Sequence, residues 1–448
     1  ANYGWEFLPI YLGPIFVFVF GWPVLTKFNA VVKIHRIGSL ADFMSARYGR
    51  SQPLAVLTTV VALLGTIPYI ALQLKAVGQT FTIMAGSSTG IEPEIFDTAF
   101  FAAIFLTIFA ILFGTRLPGQ RRDSNRGMMI AIAFESVVKL IAFVLVGLFC
   151  TFELYDGFDD LFNLARKDPQ VASVFSTDFS QWALVTQLFL ASLAIICLPR
   201  QFHVTFVESP DEERYRNNAR WFFPLYLLGF IIFVVPIAAA GLLKFGGLAP
   251  PDAFVLLLPM AFNNEPLAAL AFLGGLSAAT GMILVSTLAL AIMVANEILL
   301  PLMFRSSPEE LRQRQDLSWI MVMVRRLCIV GIMSLAWLYY QSATNERSLA
   351  SIGLVAFVAA AQFAPALLGG LYWRQANRYG AMAGMLIGLL SWAFMLVWPE
   401  MQVEQIETVQ QLVPLQVDPL TNGVLLSLGL NILTYVAVSL ATTSRLVD

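Results

Sequence analysis

Residues 188–208 read Leu188-Phe-Leu-Ala-Ser-Leu-Ala-Ile-Ile-Cys-Leu-Pro199-Arg-Gln-Phe-His203-Val-Thr-Phe-Val-Glu208, and the folding of the whole chain turns on them. Eleven nearly unbroken apolar residues run into a proline, and Arg200, Gln201 and His203 follow before the hydrophobicity ends. Proline has no amide donor, so a carbonyl one turn back loses its bond. In hydrocarbon such groups are tolerated only where protein or a water-filled cavity receives them. The stretch is therefore either a helix that ends at Pro199, its charges in cytoplasmic water, or a helix broken at membrane depth around a polar site. The remainder of the chain favours the broken helix.

Hydrophobic residues make up 58% of the 448 and charged residues 12%, against roughly 45–50% and about 25% in soluble domains. With a mean hydropathy of +0.74, the composition is that of an all-α integral membrane protein. A net charge of -2 without a polybasic face gives nucleic acid no footing. Cys150, Cys197 and Cys328 all lie in apolar runs without CxxC spacing, which reads as core packing. Two histidines outside any His/Cys/Asp cluster predict no metal centre and no cofactor beyond a coupling ion. The sequence opens on Ala1, directly before a span and without a signal peptide, so an upstream segment is expected to be missing.

A crossing needs about 20 mainly apolar residues. Eleven runs qualify, near 5–28, 53–84, 97–115, 127–153, 184–207, 220–246, 265–303, 317–341, 349–373, 379–398 and 420–443. The 265–303 run is long enough for a tilted span and an interfacial turn. Nineteen of the 27 Lys and Arg residues fall in one set of alternate loops, which places that set in the cytoplasm, residue 1 outside and the C-terminus inside. The outer stretches 154–179 and 399–418 carry acids or Gln and Glu and read as connections, as does the charged cytoplasmic run 208–219. Pro68, Pro224, Pro236 and Pro365 mark bends. The small-residue run Gly274-Gly-Leu-Ser277-Ala-Ala-Thr280-Gly281 lets backbones approach closely.

Charges at membrane depth are costly and face a cavity or one another. Glu135 and Lys139 are four residues apart in helical register, so they share a face. They form either a proton or ion relay or an inert internal ion pair. Lys75 has no partner in its own span; it snorkels outward or reaches another helix. Tyr69 and Gln73 share a face just past Pro68 and suit solute contacts. Ser277, Thr280, Ser286 and Thr287 offer hydroxyls to a cation, although such hydroxyls commonly bond their own backbone.

Three segments carry a resemblance. Ile37-Gly-Ser-Leu-Ala-Asp-Phe-Met-Ser-Ala-Arg-Tyr-Gly49 resembles the S-L/I-x-[DE]-F-x-x-x-R-Y/F-G loop of the sodium:solute symporter family. Leu198-Pro-Arg-Gln201-Phe-His203-Val resembles that family's Gly-Gln-Pro-His region, and Gly274–Gly281 resembles the helix carrying half of its sodium site. Ala131-Ile-Ala-Phe-Glu-Ser-Val-Val-Lys139-Leu and the Arg-Gln-Phe-His run look closest to the symporter-like membrane domain of bacterial sensor histidine kinases.

The resemblance implies a single polytopic domain over 1–448 with a five-plus-five inverted-repeat, LeuT-like core. Residues 1–373 would supply core helices two to ten, core helix one would lie upstream, and 374–448 would be two peripheral helices. The family's adjacent Ser-Thr hydroxyls align with Gly281-Met282 here, so a proton carried through Glu135 joins Na+ as the expected coupling ion. The expected solute contacts are Tyr69, Gln73, Arg200, Gln201 and His203. Those for ion or proton coupling are Ser277, Thr280, Glu135, Lys139 and Lys75. The implied function is symport or sensing of a small organic nutrient, an amino acid or short carboxylate, in a bacterial inner membrane, without enzymatic activity in these residues. A downstream kinase and response regulator are the implied partners. The alternatives are a free-standing symporter and a nutrient receptor that has lost transport.

Overall fold

Every one of the eleven apolar runs carries a helix in the computed structural model, which describes residues 4–84, 98–114, 121–176, 181–209, 213–306, 318–342, 349–397 and 418–443. By length and composition, eight helices are membrane spans, and two bent pairs bring the number to ten. The remaining run, the third in order, is the 17-residue helix Thr98–Gly114. Among the described residues there is no β-strand. The expected outer stretch 399–418, apart from Asp418, lies outside the described residues.

The breaks position everything else. The fifth crossing runs Gln181–Cys197, pauses at Leu198 in an extended conformation (φ -70°, ψ 127°), and resumes at Pro199. Its halves differ in direction by 53°. Pro199 cannot donate to the carbonyl of Ile195, so the straight helix loses its register there.

The first crossing is bent more sharply, by 70°, between Leu8–Val19 and Trp22–Ile34. It reaches six residues beyond its expected end. The two bent crossings meet where Gly13 lies against the fifth: a Cβ there would stand 2.8 Å from the Leu188 carbonyl. Ser192 Oγ donates to Gly13 O at 3.2 Å across the same contact. The ninth crossing breaks at Gln362 and Phe363, between Leu349–Ala361 and Ala364–Tyr372.

Helical structure extends further than the loop readings allowed. The run 208–219 is helical from Glu213, as the start of a 33-residue helix ending at Phe245. The segment after Glu153, expected outside, folds into Phe158–Lys167 and Pro169–Ser176. Phe158–Lys167 turns Leu161 and Ala165 into a core with Val146, Phe149 and Phe254, so it packs rather than merely connects. The seventh crossing runs Glu265–Val294, then a π-turn Ala295–Leu299, then Leu300–Ser306. Within that π-turn, Gln52 Nε2 donates to the Glu297 carbonyl at 2.5 Å.

The Ser39–Gly49 segment is a short helix, Leu40–Arg47, capped by Ser39 accepting from Asp42 N. Gly49, at φ +73°, turns the chain away from it. Arg47 Nε donates to the Gly370 carbonyl, and Tyr48 Oη lies 2.7 Å from Ala366 O and 2.8 Å from Tyr435 Oη. The tenth and eleventh crossings, Arg378–Val397 and Pro419–Thr442, pack along Gly380, Gly384 and Gly388, which face Tyr435, Ser439 and Asn431.

Asn377 caps the tenth crossing by accepting from Gly380 N at 3.0 Å and ties it to the eleventh by donating to Ser439 O and Thr442 Oγ1. Replacing Asn377 with alanine is expected to cost about 1–2 kcal/mol, read as a lowered melting temperature of the purified protein.

Candidate functional site

The seventh crossing packs against the fourth, and the small-residue run makes the approach possible. A Cβ on Gly274 would stand 2.5 Å from Ala142 Cβ, and one on Gly281 would stand 2.6 Å from Glu135 Oε2. Gly274 therefore serves packing, while Gly281 leaves room for a carboxylate. Ser277 Oγ donates to the Glu135 backbone carbonyl at 3.0 Å, and Thr280 Oγ1 donates to Ser277 O at 3.2 Å. Glu135 Oε2 is buried and has no hydrogen-bond partner among the described residues.

Glu135 and Lys139 share a face, as their spacing requires, yet among the described residues they form no ion pair within 4.0 Å. Glu135 turns to the seventh crossing. Lys139 Nζ lies 5.2 Å from the Phe230 ring centroid of the sixth crossing. The inert internal pair is thus not formed.

Arg200, the first residue after Pro199, places its guanidinium carbon 5.7 Å from the Tyr69 ring centroid. Tyr69 in turn points Oη at Met282 Sδ, 3.3 Å away, with Phe357 of the ninth crossing beside its ring. The break of the fifth crossing thus faces the second and seventh, where Arg200, Tyr69 and Met282 meet, and the seventh carries Ser277, Thr280 and Gly281 on to Glu135 of the fourth.

Other expected residues lie elsewhere. His203 is buried with Nε2 3.3 Å from Glu208 Oε1, engaged by its own crossing rather than by this cluster. Lys75 is within electrostatic reach of Asp252, just before Phe254–Ala261, so it reaches another element. Gln73 and Gln201 are half-buried and make no side-chain hydrogen bond among the described residues. Thr287 Oγ1 donates to Met333 Sδ, and Ser286 Oγ is buried nearby without a partner among the described residues. Sequence reasoning missed Met282 and Phe230. Methionine and phenylalanine in apolar runs carry no periodic signal that separates a site wall from core. An apolar groove of about 500 Å³, lined by Leu145, Leu148, Phe149, Phe152, Pro266 and Leu270, lies apart from this cluster.

Comparison with known proteins agrees with the sequence motifs. The model of the sodium:solute symporter family matches residues 273–388, about a quarter of the chain. Two uncharacterized symporters of Bacillus subtilis (strain 168) are similar. YhjB is 23% identical over 419 residues, covering 92% of this chain and 78% of its own. YodF is 24% identical over 226 residues, covering 47% of this chain and 41% of its own. Among solved structures, a Na+-coupled sialic acid symporter in a substrate-bound, outward-open state superposes with a TM-score of 0.64. That match has 11% identity and covers 98% of this chain and 83% of the other. The fold is the all-helical, multi-pass membrane fold of that symporter. The matched family model and both relatives are of symporters, and the likeness to the solved symporter is one of fold.

Proposed function

We propose that the chain is a solute:cation symporter whose solute site is gathered at the break of the fifth crossing. The observation that carries this is the 53° turn at Leu198 and Pro199, which sets Arg200 over Tyr69 and beside the seventh crossing. Discontinuous helices at the bilayer midplane are the usual seats of transported solutes, and rocking about them gives alternating access. Residues 1–373 then form the core and 374–448 a peripheral pair, with residue 1 outside and the C-terminus in the cytoplasm of a bacterial inner membrane. The solute is a small organic nutrient.

Na+ is the ion named for the family and for the solved symporter. At the position of the family's hydroxyl pair this chain has Gly281 and Met282, and the Ser277 and Thr280 hydroxyls are donated to carbonyls. The carboxylate of Glu135 fills the space that Gly281 leaves. A proton on Glu135 is the coupling this arrangement favours. Uptake of labelled amino and short carboxylic acids into proteoliposomes should follow an imposed pH gradient without Na+. Uptake driven by Na+ alone would move the coupling to that ion. Melting shifts without flux across the panel would reassign the chain as a nutrient receptor.

The likeness of residues 131–140 and 200–203 to the sensor branch supports a second role, reporting occupancy to a downstream kinase and response regulator. The reading frame of the parent gene tests it, by the presence or absence of kinase motifs.

A further inference from the structure

The apolar groove lies between the fourth and seventh crossings, and the packing of those two helices explains why it is there. They touch at Gly274, where a Cβ would stand 2.5 Å from Ala142 Cβ. One turn further on both carry large residues, with Leu145, Leu148, Phe149 and Phe152 facing Leu267 and Leu270. The separation of two packed helices follows the side chains at their contact, and beyond the small residues about 500 Å³ opens between them. That volume is the size of a small-molecule site. Leu145, Leu148 and Phe152 are 40%, 38% and 58% exposed, on helices whose outer faces meet hydrocarbon. The occupant therefore comes from the bilayer.

One end of the groove is polar. Glu153 ends the π-turn Phe149–Glu153, and Asn264 caps the seventh crossing by accepting from Leu267 N at 3.2 Å. Both line the groove where the fourth span ends and the seventh begins, which is the level of lipid headgroups. Glu153 is exposed and forms no ion pair within 4.0 Å among the described residues. Glu265, also exposed, follows Asn264. The Phe262 ring centroid lies 6.3 Å from that of Phe149, and Lys244 Nζ lies 4.7 Å from the Phe262 centroid. The rim offers a carboxylate to an ammonium and, beyond Phe262, an ammonium to a phosphate.

We propose that this groove seats an acyl chain of an ethanolamine phospholipid, with Glu153 holding the lipid ammonium and Lys244 its phosphate. A primary ammonium donates charge-assisted hydrogen bonds to a carboxylate. A quaternary one has no hydrogen to donate. A headgroup carrying only negative charge would face Glu153 and Glu265 with like sign.

The test titrates the full chain, stripped of lipid in detergent, with phospholipids of identical chains and ethanolamine, choline or glycerol headgroups. Native mass spectrometry counts the bound lipid. The ethanolamine lipid is expected to bind about three- to tenfold more tightly than the choline lipid, the scale of one exposed, charge-assisted pair. The glycerol lipid should bind more weakly than either. Glu153→Gln should erase the difference between ethanolamine and choline. Lys244→Gln should weaken all three by about fivefold. Leu148→Trp fills the groove from an exposed position, so it should melt like wild type without lipid and weaken all three by about tenfold. Equal affinity for ethanolamine and choline lipids in the native chain overturns the proposal. So does a preference that survives Glu153→Gln, or affinity unchanged by Leu148→Trp or by Lys244→Gln. Preference for the glycerol lipid overturns it in favour of an anionic one. A native dimer that Leu148→Trp converts to a monomer overturns it by giving the groove to a second copy of the chain.

Discussion

Glu135→Gln is expected to keep the protein folded and able to bind solute, while gradient-driven accumulation falls at least about 10-fold, the scale of a lost proton-transfer group. Glutamine matches glutamate in shape, but it has no proton to release. In the native chain Glu135 Oε2 is buried against the bare backbone of Gly281 without a hydrogen-bond partner among the described residues. An ionised carboxylate so placed carries a desolvation cost of several kcal/mol. Taking up a proton removes that cost, and a rearrangement that admits water or a cation removes it too. Protonation and conformation are therefore linked through one atom. The measurement is concentrative uptake against equilibrium counterflow in proteoliposomes: counterflow should survive and concentrative uptake should not. Equal retention of both would take Glu135 out of coupling. Gly281→Ala is expected to act in the same direction, since its methyl must displace the carboxylate.

Gly384→Leu is expected to produce the largest loss of stability, about 3 kcal/mol from overpacking and broken buried hydrogen bonds. A Cβ at Gly384 would stand 2.7 Å from Asn431 Oδ1 and 2.9 Å from the Asn431 carbonyl. The carbonyl belongs to the eleventh helix and cannot rotate away, so the tenth and eleventh crossings must part. Separation removes the bonds from Asn431 Nδ2 to Gln362 O and Oε1, at 2.9 and 3.0 Å, which satisfy the broken ninth crossing. It also pulls Tyr435 from Trp373. Thermal unfolding followed by size exclusion checks it, and a melting curve superimposable on wild type would count against glycine-mediated packing here.

Proline made one break legible, and a second break that a proline also marks went unread. At Pro199 the missing donor can be read directly. Pro23 likewise has no donor for the Val19 carbonyl, beside the 70° turn of the first crossing at Phe20 and Gly21, but it lies in a long apolar stretch that reads as one span. Pro365 announced trouble in the ninth crossing, yet the break sits at Gln362, where Ser427 and Asn431 of a distant helix supply the polar partners. The spacing of Glu135 and Lys139 correctly put both on one face. It could not say that Glu135 would turn to the seventh crossing and Lys139 to Phe230, because that choice depends on which helices pack on each side. Residues 213–219, the first turns of the helix that continues into the sixth crossing, read as a connection because their charges and amides carry no apolar stripe. Nothing in the chain's own pattern brought Arg200 to Tyr69, 131 positions away.

The phenol of Tyr48, held at once by the Ala366 carbonyl and by Tyr435, fastens the short helix Leu40–Arg47 to the ninth and eleventh crossings. Lifting residues 39–49 away from these crossings strips both bonds and leaves a buried hydroxyl stranded, a cost of about 2 kcal/mol. Tyr435→Phe would ease that latch without disturbing the packing of its ring, so residues 39–49 would lift more readily.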